Sequence, residues 1–468
     1  MVFSSPVFLF LFFPLCLIAY YFISKTGVTR YQNICLLIFS IIFYAYGSLS
    51  FLPILLISIV INYYLSRKIR FTKDKKTRKL VFIITISFNI LLLFIFKYAN
   101  LFTLTLFGEK YATHITLPIG ISFYTFQVLS YICDVYNKKV KTCDTLDDMA
   151  LFTMLFPQLI AGPIVRYKSI EKQMKKRVSN YTSFYNGIYR FMKGFIKKII
   201  FANTLGRITD LAFSQLGYYT MGFALSMFTI LCYSIQIYLD FWAYSDMAIG
   251  IGEIFGFTFP ENFNMPFVST SITEFWTRWH ISLSSFFRDY VYIPLGGSRN
   301  GLTRTCINLT IVFALSGFWH GAGFNFLFWG FYNALFLVIE RILTTKYNIK
   351  IPKVLGIIYV FVAWNIGMIF FRIESIKDLN LYLSGLFGKM QLNFYARPLL
   401  SSIFNPTFVV CFIISILYLT PIFDKIKKYL YKYKYGYMIV DLTTIVLFAY
   451  AVIDMLTTNF NPFIYFRF

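Results

Sequence analysis

Two histidines stand in unusual surroundings, one in an otherwise apolar and aromatic run and one among charged residues, tryptophans and phenylalanines. His320 lies in Ser316–Gly330, SGFWHGAGFNFLFWG, and His280 in Ser271–Tyr292, SITEFWTRWHISLSSFFRDYVY. The chain has only three histidines, so two in such surroundings form a pattern. An imidazole titrates near neutral pH and can take the proton of an alcohol as that alcohol attacks an acyl carbonyl. Gly321 and Gly323 leave room beside His320 for a backbone or a ligand to come close. From the residues alone, His320 is either a general base or a hydrogen-bonding partner of a neighbouring helix. His280 is either a second polar group that orients donor or acceptor, or part of an interfacial anchor with Trp276, Trp279 and the nearby arginines. Glu274, Arg278, Arg288 and Asp289 do not all share one helical face with it. The third histidine, His114, falls in the loop GEKYATHITLP and reads as ordinary loop chemistry.

Asp240 and Asp246, in YLDFWAYSDMAIGIGEIFGF, either line a chamber or pair with neighbouring helices. Gly250, Gly252 and Gly256 follow them; no strand precedes, so they read as close helix contacts and not as a dinucleotide fingerprint. The seven cysteines are scattered, without C-x-x-C or zinc-like spacing, and read as small apolar residues with no metal and no structural disulfide. No phosphate loop, nucleophile elbow, zinc-protease motif, Ser-His-Asp set or carboxylate dyad is present, which leaves the chemistry to histidine.

The elements that hold these residues are membrane helices. Hydrophobic residues make up 58% of the 468, and a soluble domain lacks the polar surface to cover that fraction. Nearly charge-free runs recur at Val7–Ser24, Gln32–Leu49, Phe51–Leu65, Leu80–Phe96, Met221–Trp242, Asn308–Trp319, Val354–Phe371, Phe404–Phe423 and Met438–Leu456. Several approach the roughly 20 residues a spanning helix needs. The first has no basic residue before it and no small-residue cleavage site after it, and reads as a retained helix. The fold class is all-α and polytopic, with about 11 spanning helices plus re-entrant and interfacial ones.

The net charge of +24 would suggest nucleic acid in a soluble protein, but here it marks orientation. Basic residues gather in short loops, Arg67–Lys79, Lys138–Lys141, Arg166–Arg177, Arg190–Lys198 and Lys425–Lys434, which the positive-inside rule puts on the cytoplasmic side with the N-terminus outside. There they would meet anionic lipid headgroups, and could draw in an anionic donor. Within Phe184–Phe201 the basic residues Arg190, Lys193, Lys197 and Lys198 fall on one side, as in a helix lying in the cytoplasmic interface.

No linker or internal repeat divides the chain, so residues 1–468 read as one membrane domain: N-terminal helices over 1–107, a core over 117–341 and C-terminal helices over 354–468. The core differs in character. Pro118, Pro157 and Pro163 break helix ladders there, and backbone freed at membrane depth survives only against protein or a watery cavity. Broken helices around an internal chamber are the expectation; kinked helices without a chamber are the other possibility. A transporter or flippase would share both features, but the paired broken segments of two related halves are not seen.

The long blocks FPQLIAGPIVRY at Phe156–Tyr167, DFWAYSDMAIGIGEIFGF at Asp240–Phe257 and NFNMPFVSTSITEFWTRWHISLSSFFRDYVYIPLGGSRNG at Asn262–Gly301 lead into SGFWHGAGFNFLFWG and the tail NPFIYFRF. Together they resemble the membrane-bound O-acyltransferases. The likeness is to the bacterial branch that contains alginate and peptidoglycan O-acetyltransferase membrane subunits and the D-alanyl transferase of teichoic acids. Phe324 stands where many such relatives have Trp, a change that keeps an aromatic wall. The resemblance implies a ring of helices around a central tunnel, a catalytic role for His320 in its W-H-G setting, and a place for His280 as the second histidine of the active-site region. It also implies transfer of an acyl group, most simply acetyl, from a cytoplasmic thioester such as acetyl-CoA to a hydroxyl of an envelope polysaccharide such as peptidoglycan or alginate. No permanently bound cofactor is implied. Transfer would be direct or by way of a periplasmic esterase-like partner, in a bacterial cytoplasmic (inner) membrane. D-alanyl transfer to teichoic acid is the alternative within the same chemistry.

Overall fold

The computed structural model describes residues 1–108, 110, 115–349, 351–458, 460 and 462. His114 and most of the tail Asn461–Phe468, Arg467 included, lie outside the described residues. Among the described residues the secondary structure is helical apart from two isolated bridges, Leu216 with Tyr219 and Thr220 with Gln391.

In chain order the helices are α1 (Phe13–Ser24), α2 (Thr29–Ser48), α3 (Leu52–Phe71), α4 (Lys75–Phe107), α5 (Ile121–Tyr136), α6 (Leu146–Met154), α7 (Phe156–Leu159), α8 (Tyr167–Lys175), α9 (Tyr181–Ile196), α10 (Asn203–Ser214) and α11 (Gly222–Ile254). They continue with α12 (Ile272–Arg278), α13 (Ile281–Phe287), α14 (Gly301–His320), α15 (Phe324–Lys346), α16 (Lys353–Arg372), α17 (Ile376–Phe387), α18 (Arg397–Ile403), α19 (Pro406–Leu417), α20 (Ile422–Leu430) and α21 (Gly436–Thr457).

Seven helical stretches among the described residues are long and apolar enough to cross a bilayer: 29–71, α4, α11, α14, α15, α16 and α21. The pair Phe394–Ile403 and Pro406–Leu417, bent by 60°, makes an eighth if it is one span. The sequence suggests about eleven. Part of the difference is that α2 and α3 run on through a single 3₁₀ turn, Leu49–Phe51, and count as one stretch of 43 residues. The apolar helix Phe8–Ser24 is also shorter than the others.

Contacts divide the chain into two compact units, residues 1–191 with 244–261, and residues 192–243 with 262–468. The first unit is built on an aromatic core in which Phe43 lies 5.5 Å from both Phe12 and Phe156, ring centre to ring centre. Here the helix-breaking prolines act as expected. Between α6 and α8 the backbone is helical only over the four residues of α7, yet Leu151–Val165 is buried throughout. The freed backbone groups find side-chain partners: Phe156 N donates to Ser40 Oγ at 3.1 Å, and Phe152 O accepts from Gln158 Nε2 at 2.6 Å.

Two readings of basic segments are corrected in this unit. Arg166–Arg177 is not a plain surface loop, because α8 occupies it and Arg177 is buried. The Arg177 guanidinium donates to Tyr20 Oη, Phe255 O and Asn33 Oδ1. Arg190 is held by carboxylates of the protein: its fork donates to Asp246 Oδ1 at 2.8 Å and Glu261 Oε2 at 2.6 Å. Asp246 is thus a helix-pairing residue. The glycine contact is also found, since a methyl built on Gly187 or on Gly250 would stand 2.5 Å from the other's carbonyl oxygen. At that crossing α9 and α11 touch backbone to backbone.

In the second unit Lys197 and Lys198 are buried, while Lys193 is half-buried. After α9 the chain passes through a π-helical stretch, Lys197–Ala202, whose wider turn changes which side each residue faces. Lys198 Nζ pairs with Asp240 Oδ1 at 2.7 Å, the two side chains 3% and 1% exposed. Lys197 Nζ sits 3.4 Å from the centre of the Trp242 ring. Lys197 and Lys198 therefore do not lie on an exposed face. Lys198 supplies the counter-charge that lets an aspartate reside in an apolar helix.

Candidate active site

The Trp319–His320–Gly321 sequence ends one arm of a helical hairpin. α14 and α15 are joined by only Gly321, Ala322 and Gly323 and pack closely, because Gly317 faces Gly330 across the pair. A methyl on Gly317 would lie 2.4 Å from Phe326 O, and one on Gly330 would lie 2.4 Å from Phe313 O. No side chain but hydrogen fits at either place, so the hairpin's geometry is set by backbone contact. Gly321 gives room to a neighbouring ring: a methyl there would strike Phe326 at 2.2 Å.

His320 is the last residue of α14 and is buried. Three aromatic rings enclose its imidazole: Trp319 at 4.8 Å, Trp329 of α15 at 5.1 Å and Phe371 of α16 at 5.4 Å between ring centres, all at steep angles. Such edge-to-face packing holds the ring at a fixed tilt in a water-poor place.

His280 is reached from a different element. The helix that begins at Ile272 cannot continue past Arg278: Trp279 is extended, and His280 adopts a left-handed conformation with φ 44° and ψ 53°. That geometry is uncommon for a residue with a β-carbon and is kept only where surrounding contacts enforce it. The enforcing segment is Asn262–Asn264. Asn264 N donates to Arg278 O at 2.9 Å, and Ile281 N donates to Asn262 O at 3.0 Å. The Asn262 side chain then takes three contacts at Oδ1: His280 Nδ1 at 3.1 Å, Ser282 N at 3.2 Å and Ser282 Oγ at 2.9 Å. Burial pushes the His280 imidazole well below its usual value, to about 3, so it stands neutral. His280 lies outside the long apolar helices.

The two histidines meet the same indole. The Trp319 ring centre lies 4.8 Å from His320 and 6.3 Å from His280, whose other side meets the edge of Phe241 at 4.6 Å. Residues 40 positions apart are thus brought to one place by a broken helix and a hairpin tip. Glu274, Arg278, Arg288 and Asp289 stay outside this cluster. Glu274 pairs with Arg278 at 2.9 Å, and the exposed Arg288 pairs with Asp289 at 2.7 Å. Asp240 is held by Lys198.

Beside the cluster, a cavity of about 270 Å³ opens between α12, α13, α14 and α15. Trp276, Phe313 and Ser316 form part of its wall, and Arg288 and Arg341 bring charge to it. Ser316 precedes His320 by one helical turn and so lies on the same face of α14.

Two residues of this region escaped the sequence reading. Asn262 carries no signal of its own, because its role depends on a left-handed turn 18 positions away. Glu340 could have been found, as a carboxylate inside an apolar span is costly and implies a partner. It is buried on α15 and receives the first N–H groups of α12, Ile272 N at 2.5 Å and Thr273 N at 2.8 Å.

Residues 145–376, which hold both histidines, match the model of the membrane-bound O-acyltransferase family. A probable alginate O-acetylase of Pseudomonas aeruginosa is 40% identical over 426 residues, 88% of this chain and 80% of the relative. A peptidoglycan O-acetyltransferase of Helicobacter pylori is 34% identical over 424 residues, 83% of this chain and 80% of the relative. A teichoic acid D-alanyltransferase of Bacillus subtilis shares 31% over 230 residues, 47% of this chain and 58% of the relative.

Proposed function

The chain belongs to the membrane-bound O-acyltransferase family, and from that premise we propose that it is the O-acetyltransferase of a cell-envelope polysaccharide such as alginate or peptidoglycan. It is a multi-pass membrane protein whose chemistry is acyl transfer to oxygen. The observation that carries the site assignment is the shared contact of His280 and His320 with Trp319, deep inside the segment that matches the family.

In the proposed reaction His320 is the general base. The acceptor hydroxyl gives its proton to the imidazole as its oxygen attacks the thioester carbonyl. A carbon–oxygen bond forms, the carbon–sulfur bond breaks, and the imidazolium returns the proton to the departing thiolate. A positioned base of this kind contributes roughly 10²–10⁴-fold. The aromatic box keeps competing water away from the thioester. His280 orients the reacting hydroxyl. The donor is a cytoplasmic acyl thioester such as acetyl-CoA, and an esterase-like periplasmic partner is one route to the glycan. The setting is a bacterial inner membrane.

The test is His320→Ala in the native host. Alkali-labile acetyl on the envelope glycan should vanish while membrane-inserted protein stays at wild-type abundance. Wild-type acetylation in that strain would overturn the assignment. The partial likeness to a D-alanyltransferase favours a second reading, D-alanyl transfer to teichoic acid. Mass analysis of the ester-released groups separates acetyl from D-alanine.

A further inference from the structure

The hydrogen bonds at Asn262 carry more than a position. Ser282 N is a backbone amide and can only donate, so the Asn262 side-chain atom 3.2 Å from it must be the carbonyl oxygen. The amide cannot be turned round without setting two donors against each other. That same oxygen lies 3.1 Å from His280 Nδ1. An oxygen that only accepts requires a proton on Nδ1, and a neutral imidazole has one proton. We infer that Asn262 is a positioning residue that locks His280 in its Nδ1–H tautomer, so that Nε2 presents a lone pair and acts as an acceptor in the transfer site.

The surroundings support this assignment. Asn262 is 1% and His280 1% exposed, so no bulk water competes for the Nδ1 proton. Ser282 Oγ at 2.9 Å holds the side-chain oxygen of Asn262, and the Ile281 N bond to the Asn262 backbone carbonyl holds its main chain. The left-handed turn at His280 brings Nδ1 to that oxygen, which gives the backbone strain a use. With Nε2 as acceptor, His280 can receive a hydrogen bond from the substrate hydroxyl and aim its oxygen, while a second base removes the proton. The other tautomer would present an N–H and compete with the hydroxyl for the attacking lone pair. This role rests on the reading of His280 as part of the transfer site.

Tautomers are directly visible by nitrogen NMR, because a protonated and an unprotonated ring nitrogen resonate far apart. With only three histidines in the chain, ¹⁵N-histidine labelling of the full-length protein in lipid nanodiscs gives a readable spectrum. His280→Gln identifies the His280 signals by their loss. The expected wild-type result is a protonated Nδ1 and an unprotonated Nε2 at His280. In Asn262→Ala the Nε2–H form should appear, and kcat for acetyl transfer should fall about 10-fold or more with KM for the donor changed less than about twofold. Asn262→Asp keeps the acceptor and should keep the tautomer. A wild-type Nε2–H signal, or an unchanged tautomer in Asn262→Ala, overturns the inference. Full activity in His280→Gln with the expected wild-type spectrum would instead overturn the role of His280 while the tautomer lock stands.

Discussion

Glu340 and Thr273 are joined twice, the Glu340 carboxylate receiving Thr273 N at 2.8 Å and Thr273 Oγ1 at 2.6 Å. The other oxygen receives Ile272 N at 2.5 Å, and Ser271 Oγ takes Glu274 N at 3.0 Å, so the first three donors of α12 are all met. A negative charge there also suits the positive end of the helix. Because α15 carries Trp329 against His320 and α12 leads into His280, this clamp ties the two histidine segments together. Glu340→Ala leaves buried donors unmatched, at about 1–3 kcal/mol each. It should lower the unfolding temperature in detergent and reduce acetyl transfer per folded molecule. Glu340→Gln, which keeps one accepting oxygen, should fall between. Wild-type stability and activity in the alanine variant would show that the clamp does not matter.

The α14–α15 hairpin makes a second prediction through its glycines. Gly317→Ala or Gly330→Ala puts a methyl 2.4 Å from a backbone carbonyl, where no side chain can yield. Overpacking of this kind costs about 1–3 kcal/mol, and the helices must part near His320. Both stability and transfer should drop. Gly385 on α17 has nothing within 4 Å of an added methyl, so Gly385→Ala should leave activity alone and raise stability by about 0.5–1 kcal/mol. Equal effects at the three positions would refute the packing account.

A third prediction concerns pH. Because burial holds His280 near 3, it stays neutral from pH 8 down to pH 5. A depressed base loses its function only as pH falls through its own folded-state value, so His280 should add no acid limb to the rate profile in that range. The residual activity of His280→Gln should show the wild-type midpoint for any decline between pH 8 and pH 5. A shifted midpoint would mean that His280 titrates there.

Much of this was legible in the sequence, for reasons that differ by element. The long apolar runs declare membrane helices, because hydropathy needs no neighbours to be read. His320 and His280 stand out by rarity and by their aromatic surroundings, and Pro157 and Pro163 mark the break between α6 and α8. What failed was the face of the stripe Arg190–Lys198. A constant 100° per residue puts its cations on one side, but the π-helical turn at Lys197–Ala202 buries Lys197 and Lys198, and the carboxylates of Asp240 and Asp246 hold Lys198 and Arg190, while Lys193 stays half-buried. Asn262 was invisible for a related reason: its meaning is a three-dimensional contact with a residue whose backbone conformation no local propensity favours.

The Lys198–Asp240 pair yields the last prediction. Both side chains are almost wholly buried, and Lys198 Nζ also donates to Pro462 O. Removing one partner of such a pair leaves a charge without its counter-charge in an apolar setting, which costs about 3–5 kcal/mol. Asp240→Asn and Lys198→Met should therefore each cut the amount of folded protein in the membrane sharply. Replacing both, as Lys198→Met with Asp240→Leu, removes the two charges together, and the desolvation cost of the pair disappears with its attraction. The double variant should be more stable than either single one, measured as folded protein by gel filtration and as unfolding temperature. If instead the two losses simply add, the charges do not depend on each other, and the pairing of α11 with the π-helical turn must rest on packing alone.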